Sequence, residues 1–357
     1  MTDSSERPLA GAGPAAASSA GADGGADTVR DVHESAILER IFPLLPSSAS
    51  QLLGPGDDAA VVTASDGRFV VTTDMMIHGP DFRLAWSTPH DLGWKAAASN
   101  LADVAAMGAR PTALVVAIAA TPETPVAVLE GISRGLSDAC AALAPGCGVV
   151  GGDLSVSDTL TIAVTAFGDL EGRPPVLRSG ARPGDVLALA GDAGRAASGL
   201  RLLFACGMDD DGNPDPDRAS ALRDAEPELV GAQLAPSPPI ASGADAARAG
   251  ATAMLDVSDG LALDAARLAR ASGVQVDFTA TALGDAAVVG DTVDLEMVLR
   301  GGEDHALLAT FPADAELPVP FRVIGRVVDG AGVSLDGAAL AGVLGWDPYV
   351  GWDGHAG

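Results

Sequence analysis

Aspartate recurs in this sequence where a strand-like segment ends or a helix-like segment begins. The stretch GPGDDAAVV, which starts at Gly54, places two adjacent aspartates in a Gly/Pro turn before an apolar run. Further aspartates occur in TTDMM, NLADVAAMG, VVGGD, LDVSDG and RGGED. Carboxylates are hard oxygen ligands, and several that converge cannot all stay ionised without cations between them. Because open α/β sheets bind ligands at the carboxyl ends of their strands, this recurrence predicts a Mg²⁺ site.

Each aspartate taken alone has a simpler interpretation, since aspartate commonly caps a helix or a turn. This alternative is strongest for Asp259, which opens a predicted helix whose N-terminal dipole stabilises an anion. For the set as a whole, the similarity of the junctions favours metal binding. Mg²⁺ is the expected ion because it combines a few carboxylates with water and substrate phosphates.

Other kinds of site are not supported by the spacing of residues. The P-loop pattern G-x-x-x-x-G-K-[ST] does not occur, and Cys140, Cys147 and Cys206 match no zinc spacing. A net charge of −27, from 21 basic and 48 acidic residues, excludes nucleic-acid binding through a broad basic face. The sparse cysteines fit a reducing compartment, and neither a secretory signal nor a membrane-spanning stretch is recognised. We therefore expect a cytoplasmic protein with no nucleic-acid or membrane partner.

The elements that must position these aspartates indicate a mixed α/β protein of two domains. Residues 1–31 are almost entirely Ala, Gly, Ser, Asp and Pro, which predicts a disordered tail. Alternating strand-like and helix-like segments give an N-terminal domain over residues 32–170. The Pro/Gly/Arg-rich stretch EGRPPVLRSGARPGD marks the boundary, and residues 171–357 form the C-terminal domain.

One predicted helix follows the start signal TPHD, in which Thr88 and Asp91 fit a capping box. Its apolar residues fall on one face at helical spacing. Lys95, Ser99 and Asp103 are spaced four apart and form a separate polar stripe, which puts Asp103 opposite the core face.

Taken in order, several of these segments resemble the thiamine-monophosphate kinase family. They are GPGDDAAVV, VTTDMM, DLGWKAAASNLADVAAMGA, VVGGD, VLRSGARPGD, LDVSDGL and GGED. That family shares a superfamily with aminoimidazole ribonucleotide synthetase, selenophosphate synthetase and the hydrogenase-maturation dehydratase. The resemblance extends from about residue 32 to the C-terminus. It implies a two-domain aminoimidazole ribonucleotide synthetase-like fold, in which the N-terminal sheet domain pairs with its twin in a homodimer and a C-terminal α/β domain completes the site.

The resemblance also implies an activity, namely phosphoryl transfer from ATP to thiamine monophosphate as the last step of thiamine diphosphate synthesis. The implied catalytic residues are Asp74, Asp103 and Asp153. Contacts to ATP would come from Gly152, Asp153, Arg178 and Ser258, and contacts to the thiamine part from Asp81, Glu303 and Trp352. Several Mg²⁺ ions would be held by Asp58, Thr72, Thr73, Asp74, Asp103, Asp153, Asp256 and Asp259.

This activity agrees with the chemistry of the aspartates. A phosphate acceptor is already an oxyanion, so no general base is needed to generate a nucleophile. Catalysis then requires that two mutually repelling phosphates be held in line while metal ions neutralise their charge. A ring of carboxylates that collects Mg²⁺ suits this task.

The sequence departs from the family pattern near the substrate residues. Asp81 stands where many members have the histidine of an H-F pair, and His305 stands where a tyrosine is common. The segment LAPSPPI lacks the flanking arginines usual around its Pro-x-Pro stretch. Two alternatives therefore stay open: an ATP-using synthetase of the ribonucleotide-cyclising type, and a non-catalytic Mg²⁺–nucleotide-binding protein.

Overall fold

The computed structural model describes residues 27–54, 60–286 and 294–346. Within these residues the helices are α1 (Glu34–Ile41), α2 (Pro89–Ala106), α3 (Val126–Leu143), α4 (Arg195–Cys206), α5 (Pro216–Ala225), α6 (Pro227–Leu234), α7 (Ile240–Arg248), α8 (Leu261–Ser272), α9 (Ala280–Ala286) and α10 (Leu295–Arg300), and a short 3-10 turn spans Phe42–Leu44. The strands are β1 (Gln51–Leu53), β2 (Val61–Val62), β3 (Val70–Ile77), β4 (Arg110–Ala120), β5 (Gly148–Val156), β6 (Thr161–Asp169), β7 (Val186–Ala190), β8 (Ala253–Val257), β9 (Gln275–Phe278), β10 (Ala306–Phe311), β11 (Arg322–Val328), β12 (Gly332–Leu335) and β13 (Ala338–Ala339). The mixed α/β class predicted from the sequence is confirmed.

A four-stranded sheet in the order β3-β6-β4-β5 forms the centre of the N-terminal half. β3 and β4 are antiparallel to β6, whereas β4 and β5 are parallel. One face of the sheet packs against α2 and α3. The other face carries exposed apolar side chains, among them Phe69, Val71 and Met75. Within the described parts of the chain, the sheet is therefore covered on one side only.

A seven-stranded sheet in the order β13-β12-β9-β11-β7-β10-β8 forms the C-terminal half. Its strands pair antiparallel apart from β9 and β12, which run parallel. α8 packs on β8, β9 and β12, and α7 packs on β10. β8 is an edge strand, and Asp256 lies near its carboxyl end.

Helix α2 lies between the two sheets and contacts β3, β6 and β4 on one side and β8 and β10 on the other. Its N-terminus has the predicted capping box: Thr88 accepts from the Asp91 N–H, and the Asp91 carboxylate accepts from the Thr88 N–H. Because the helix is enclosed, Lys95 and Ser99 of its polar stripe are buried, 6% and 8% exposed, and Asp103 is half-buried. The stripe that the sequence placed opposite the core therefore faces the C-terminal domain, not solvent.

The packing of α2 against α3 depends on glycine at two positions. A Cβ atom on Gly93 would lie 1.9 Å from the Ile132 carbonyl oxygen, and one on Gly135 would lie 2.0 Å from the His90 carbonyl oxygen. Neither distance is compatible with a side chain, so the close approach of the two helix backbones requires both glycines.

The structure corrects several expectations about element boundaries. Asp74 and Asp153 lie inside β3 and β5, not at strand ends, because the apolar residues that follow them continue each strand. Residues 27–31, assigned to the tail by composition, are placed against the N-terminal domain, where Val29 N–H donates to the Thr124 carbonyl. Gly260 is the N-cap of α8 and has no side-chain cap. The first 26 residues lie outside the described ones.

No helix in the described parts of the chain combines the length and apolar character needed to cross a bilayer. The cytoplasmic location remains a prediction.

Candidate active site

Three carboxylates from three different elements interact electrostatically where α2 passes between the sheets. Asp74 lies on β3, Asp103 on α2 and Asp256 near the end of β8. The Thr72 hydroxyl donates to Asp103 Oδ2 at 2.9 Å, and Asn100 Oδ1 accepts from the Asp74 N–H at 3.1 Å. Both domains therefore contribute to this group, which we call the aspartate cluster (Asp74, Asp103 and Asp256).

The pKa values in the aspartate cluster are displaced by burial and by mutual repulsion. Burial raises the pKa of Asp103 to about 7, and the charges of Asp256 and Asp74 add to the rise, which the Thr72 hydrogen bond only partly offsets. The pKa of Asp74 is also raised, first by burial and then by the charges of Asp256, Glu303 and Asp259. Two neighbouring carboxylates that are costly to ionise together would gain most from a bound cation.

Asp259 lies next to the aspartate cluster but has a cationic partner of its own. Arg267 on α8 donates to Asp259 Oδ2 at 2.6 Å and to Asp264 Oδ1 at 2.6 Å. Burial raises the pKa of Asp264 to about 6 although its carboxylate accepts from the Asp259 N–H. Asp259 is thus held by Arg267 and not by the dipole of the helix alone.

His305 approaches the cluster from the loop between α10 and β10. Its Nδ1 lies 3.4 Å from Asp256 Oδ2, and the side chain is buried. Burial disfavours the charged imidazole, but the hydrogen bond and the charge of Asp256 outweigh it, so the pKa of His305 lies above its ordinary value. Glu303 and His305 both have positive φ angles, of 73° and 51°. Such strained backbone is typical of functional loops.

Asp304, in the same loop, has a structural contact. Its carboxylate accepts from the N–H groups of Gly194 and Ala196, at 2.6 and 2.8 Å, at the N-terminus of α4. Burial raises its pKa to about 6 against the lowering effect of these two hydrogen bonds. The side chain therefore fixes the loop to α4 and orients Glu303 and His305 on either side of it.

A cleft of 620 Å³ opens beside the aspartate cluster, between α2, α4 and the loop that carries Glu303. Lys95 forms an ion pair with Glu303 and donates to the Gln233 carbonyl at 3.1 Å. The pKa of Glu303 is lowered overall: burial opposes the shift, and the charge of Lys95 outweighs it. Asp81 lines the same cleft and accepts from the Ile77 N–H at 2.7 Å.

The structure thus places many of the predicted site residues together. Asp74, Asp103, Asp256, Asp259 and Thr72 interact with one another beside the cleft. Ser258, Asp81 and Glu303 line the cleft itself.

Four predicted residues lie elsewhere in the single chain. Gly152 is in register with Asp74 across the four-stranded sheet, so Asp153 lies on the opposite face, three strand spacings or about 14 Å away. The Thr73 hydroxyl donates to the Val164 carbonyl at 2.9 Å. Arg178 is exposed, and its carbonyl accepts from the Ser272 hydroxyl beyond the far end of α8.

Gly152 is needed for a reason other than ligand approach. A Cβ atom there would lie 1.9 Å from the Val116 carbonyl oxygen on β4. The close contact that excludes a side chain is therefore with the neighbouring strand. Asp58 and Trp352 lie outside the described residues, and their predicted roles, like those of the whole set, remain predictions.

Some residues of the site were not identified from the sequence. The sequence places Lys95 in a polar stripe, one and two turns before Ser99 and Asp103, and this position is a signal that marks it as a candidate site residue. His305 was noted only as a departure from a family pattern. Trp346 lines the cleft and is 49% exposed; it lies six residues before the aromatic chosen from sequence.

The aspartate cluster fits Mg²⁺ by donor type and by electrostatics. In the described residues no three His, Cys, Asp or Glu side chains are grouped closely enough to hold one ion by themselves. Mg²⁺ is commonly bound by one or two carboxylates together with water and substrate phosphates, so a complete protein cage is not required. The raised pKa values of Asp74 and Asp103 indicate negative charge that lacks compensation.

Two family models match the chain. AIR synthase related protein, N-terminal domain, matches residues 56–170, and AIR synthase related protein, C-terminal domain, matches residues 182–337. These matches cover the four-stranded sheet and all of the seven-stranded sheet except β13.

Relatives of known name are similar over most of the chain. A thiamine-monophosphate kinase of Mycobacterium tuberculosis is 44% identical over 330 residues, which are 90% of this chain and 93% of the relative. One from Corynebacterium glutamicum is 41% identical over 309 residues, 84% of this chain and 87% of the relative. Among solved structures, one described as AaThiL complexed with AMPPCP and TMP has a TM-score of 0.66 at 31% identity and covers 81% of this chain and 90% of its own.

Proposed function

The chain belongs to the thiamine-monophosphate kinase family, and on that premise we propose how its residues carry out the reaction. The enzyme transfers the terminal phosphoryl group of ATP to thiamine monophosphate, which yields thiamine diphosphate and ADP. The observation that carries the proposal for the site is the aspartate cluster, in which Asp74, Asp103 and Asp256 converge from both domains beside a cleft of substrate size.

Asp74, Asp103 and Asp256 would hold Mg²⁺ together with the phosphates of the two substrates. Bound Mg²⁺ supplies charge neutralisation for the phosphates and for the charge that develops between them during transfer. Asp259 and Asp58 are further proposed ligands. Because Arg267 already pairs with Asp259, that carboxylate can serve as a ligand only if it shares or exchanges this partner.

The chain's own residues position the two phosphates. The acceptor phosphate is an oxyanion at neutral pH, so it attacks without loss of a proton to a base. The Thr72 hydroxyl fixes the orientation of Asp103, and Asn100 ties the β3 backbone at Asp74 to α2. This rigid support is what in-line transfer needs, since small misplacements of reacting groups lower the rate sharply.

The charge pattern of the cleft supports one orientation of thiamine monophosphate. The molecule consists of a phosphate, a cationic thiazolium ring and a neutral aminopyrimidine ring in sequence. The charge of Glu303 helps to raise the pKa of both Asp74 and Asp81. Glu303 therefore lies between the aspartate cluster and the outer cleft. With the phosphate at the aspartate cluster, the thiazolium ring reaches Glu303 and Asp81, whose negative charges complement it.

We also propose a homodimer that forms through the open face of the N-terminal sheet. Phe69, Val71 and Met75 on this face are 57%, 54% and 57% exposed. A contiguous apolar surface of this kind is unusual on a monomer and typical of an interface. Asp153 projects from the same face, and pairing of two sheets there would enclose it.

The reaction is tested by incubating the protein with thiamine monophosphate, ATP and Mg²⁺, followed by oxidation to thiochromes and their separation. We expect a diphosphate product that requires both ATP and Mg²⁺. If ATP binds with Mg²⁺ but no diphosphate forms, the acceptor is wrong while the fold assignment stands.

A further inference from the structure

Arg83 is a buried cation that has no hydrogen-bonding partner among the described residues. Its side chain is 9% exposed, and neither a carboxylate nor a carbonyl in those parts of the chain pairs with its guanidinium. Buried arginine is otherwise almost always paired, because an unpaired buried charge is costly. Such a residue in a cleft indicates a ligand that supplies the missing acceptor.

Two aromatic rings hold the Arg83 guanidinium in place. Its Cζ lies 4.8 Å from the ring centroid of Trp86 and 4.9 Å from that of Phe204. The two rings meet edge to face at 5.0 Å, and Trp86 Nε1 donates to the Gly207 carbonyl at 2.9 Å. Aromatic faces attract the cation but accept no in-plane hydrogen bonds, so the N–H edge of the guanidinium stays available.

The position of this group in the cleft identifies the part of the ligand that it meets. Arg83, Trp86 and Phe204 all line the cleft. Glu303 lies next to the aspartate cluster, Asp81 lies next to Glu303, and Arg83 follows Asp81 by two residues on the wall shared with α4. Along the cleft, the aspartate cluster would therefore meet metal and phosphate, and Glu303 and Asp81 would meet a cationic group. The aromatic pocket that holds the planar guanidinium of Arg83 follows them.

We propose that Arg83 is a specificity-determining residue, whose guanidinium donates to ring-nitrogen acceptors of the aminopyrimidine half of the acceptor substrate. This inference rests on the proposed function, since the order of groups along the cleft matches phosphate, thiazolium and aminopyrimidine. A planar donor suits in-plane heteroaromatic nitrogens, and a site built for hydrogen bonding rejects analogues that lack the acceptor. The guanidinium thus selects the intact substrate over its thiazole half.

The test compares Arg83→Met with the wild-type enzyme on two compounds. The first is thiamine monophosphate as substrate; the second is an N-methylated thiazolium phosphate that lacks the pyrimidine ring, used as a competitive inhibitor. We expect kcat/KM for thiamine monophosphate to fall by about 10- to 100-fold, the effect of a lost charged hydrogen bond. The inhibition constant of the fragment and the KM for ATP should change less than twofold.

Controls separate this role from a structural one. Arg83→Lys keeps the charge but lacks the planar donor edge, so its kcat/KM for thiamine monophosphate should also fall while the inhibition constant of the fragment stays within twofold of wild type. Arg134→Met, at an exposed position on α3, should leave all constants unchanged. Equal weakening of substrate and fragment by Arg83→Met, or no weakening of either, would overturn the inference. Wild-type protein that makes no thiamine diphosphate would instead contradict the proposed function.

Discussion

Lys95 on α2 forms an ion pair with Glu303, which lies in the loop before β10. The Lys95 side chain is 7% exposed and the Glu303 side chain 41%. This contact joins the N-terminal helix to the C-terminal loop at the wall of the cleft, next to the aspartate cluster. The two halves of the proposed active site are therefore coupled by one charged pair.

Lys95→Met should weaken the binding of thiamine monophosphate more than that of ATP. Without Lys95, the Glu303 side chain is no longer held in one orientation. The aspartate cluster, which would bind Mg²⁺, is unchanged. We expect KM for thiamine monophosphate to rise about tenfold, the loss of about 1.4 kcal/mol. Steady-state kinetics with each substrate varied in turn measures this. A larger effect on the KM for ATP would contradict the assignment of Glu303 to the acceptor.

The binding of Mg²⁺ should release protons in a pH-dependent way. Asp103, with a pKa of about 7, is partly protonated near and below neutrality, whereas metal ligands must be deprotonated. Burial also raises the pKa of Asp74, which acts in the same direction. Mg²⁺ affinity should therefore increase as the pH rises toward 7 and level off above it. Calorimetry in buffers of different ionisation enthalpy should detect proton release at pH 6 and little at pH 8. Absence of buffer dependence at pH 6 is the contrary outcome.

The Asp304 carboxyl provides a separate stability prediction. Its folded-state pKa of about 6 exceeds the ordinary value of 3.8. A raised pKa means that the group favours the folded state most when protonated, and this contribution is lost as the pH rises through about 6. The free energy of unfolding of Asp304→Asn should therefore increase relative to that of wild type as the pH rises from 4 to 7.

The comparison is made by urea denaturation at both pH values. If the N–H groups of Gly194 and Ala196 stabilise the charged carboxylate more strongly than burial opposes it, the trend will be reversed, and our account of this loop is wrong.

Met75→Asp should disrupt the proposed homodimer. The substitution places a charge on the open face of the N-terminal sheet, on its edge strand β3, where burial against a second copy would be costly. We expect sedimentation to show monomers at concentrations at which the wild type is dimeric. Val323→Asp, at an apolar position on β11 that is 47% exposed, is the matched control and should leave the assembly unchanged. A wild-type protein that is monomeric at all concentrations would contradict the proposal directly.

Local signals in the sequence predicted much of the fold. The capping box at Thr88 and Asp91 follows from residue type and spacing. Strand ends are less accurate: the sequence pattern predicts Asp74 and Asp153 at strand ends, whereas both lie inside strands. A carboxylate within a strand is tolerated when its side chain faces a site or solvent, and composition does not distinguish this from a strand end.

The site was predictable where residues lie on recognisable motifs and not where it depends on contacts between distant segments. Asp74, Asp103 and Asp256 occur in similar local sequence contexts, and this similarity identifies them as candidate metal ligands. The ion pair of Lys95 with Glu303 joins the two domains, so no local pattern predicts it. Arg83 is recognised as a site residue only from its packing against Phe204. The placement of Asp153 on the opposite sheet face follows from strand order, which no local pattern specifies.

The most direct test of the central claim is thiamine diphosphate formation by Asp103→Asn, measured beside Asp138→Asn at an exposed position on α3. Asparagine preserves the shape at residue 103 but removes the charge that would hold Mg²⁺. We predict that the Asp103 variant stays folded and loses activity by about 100-fold or more, on the scale of a lost transition-state contact, while the Asp138 variant matches wild type. A folded Asp103→Asn enzyme with near-normal turnover would show that the aspartate cluster does not hold the catalytic metal.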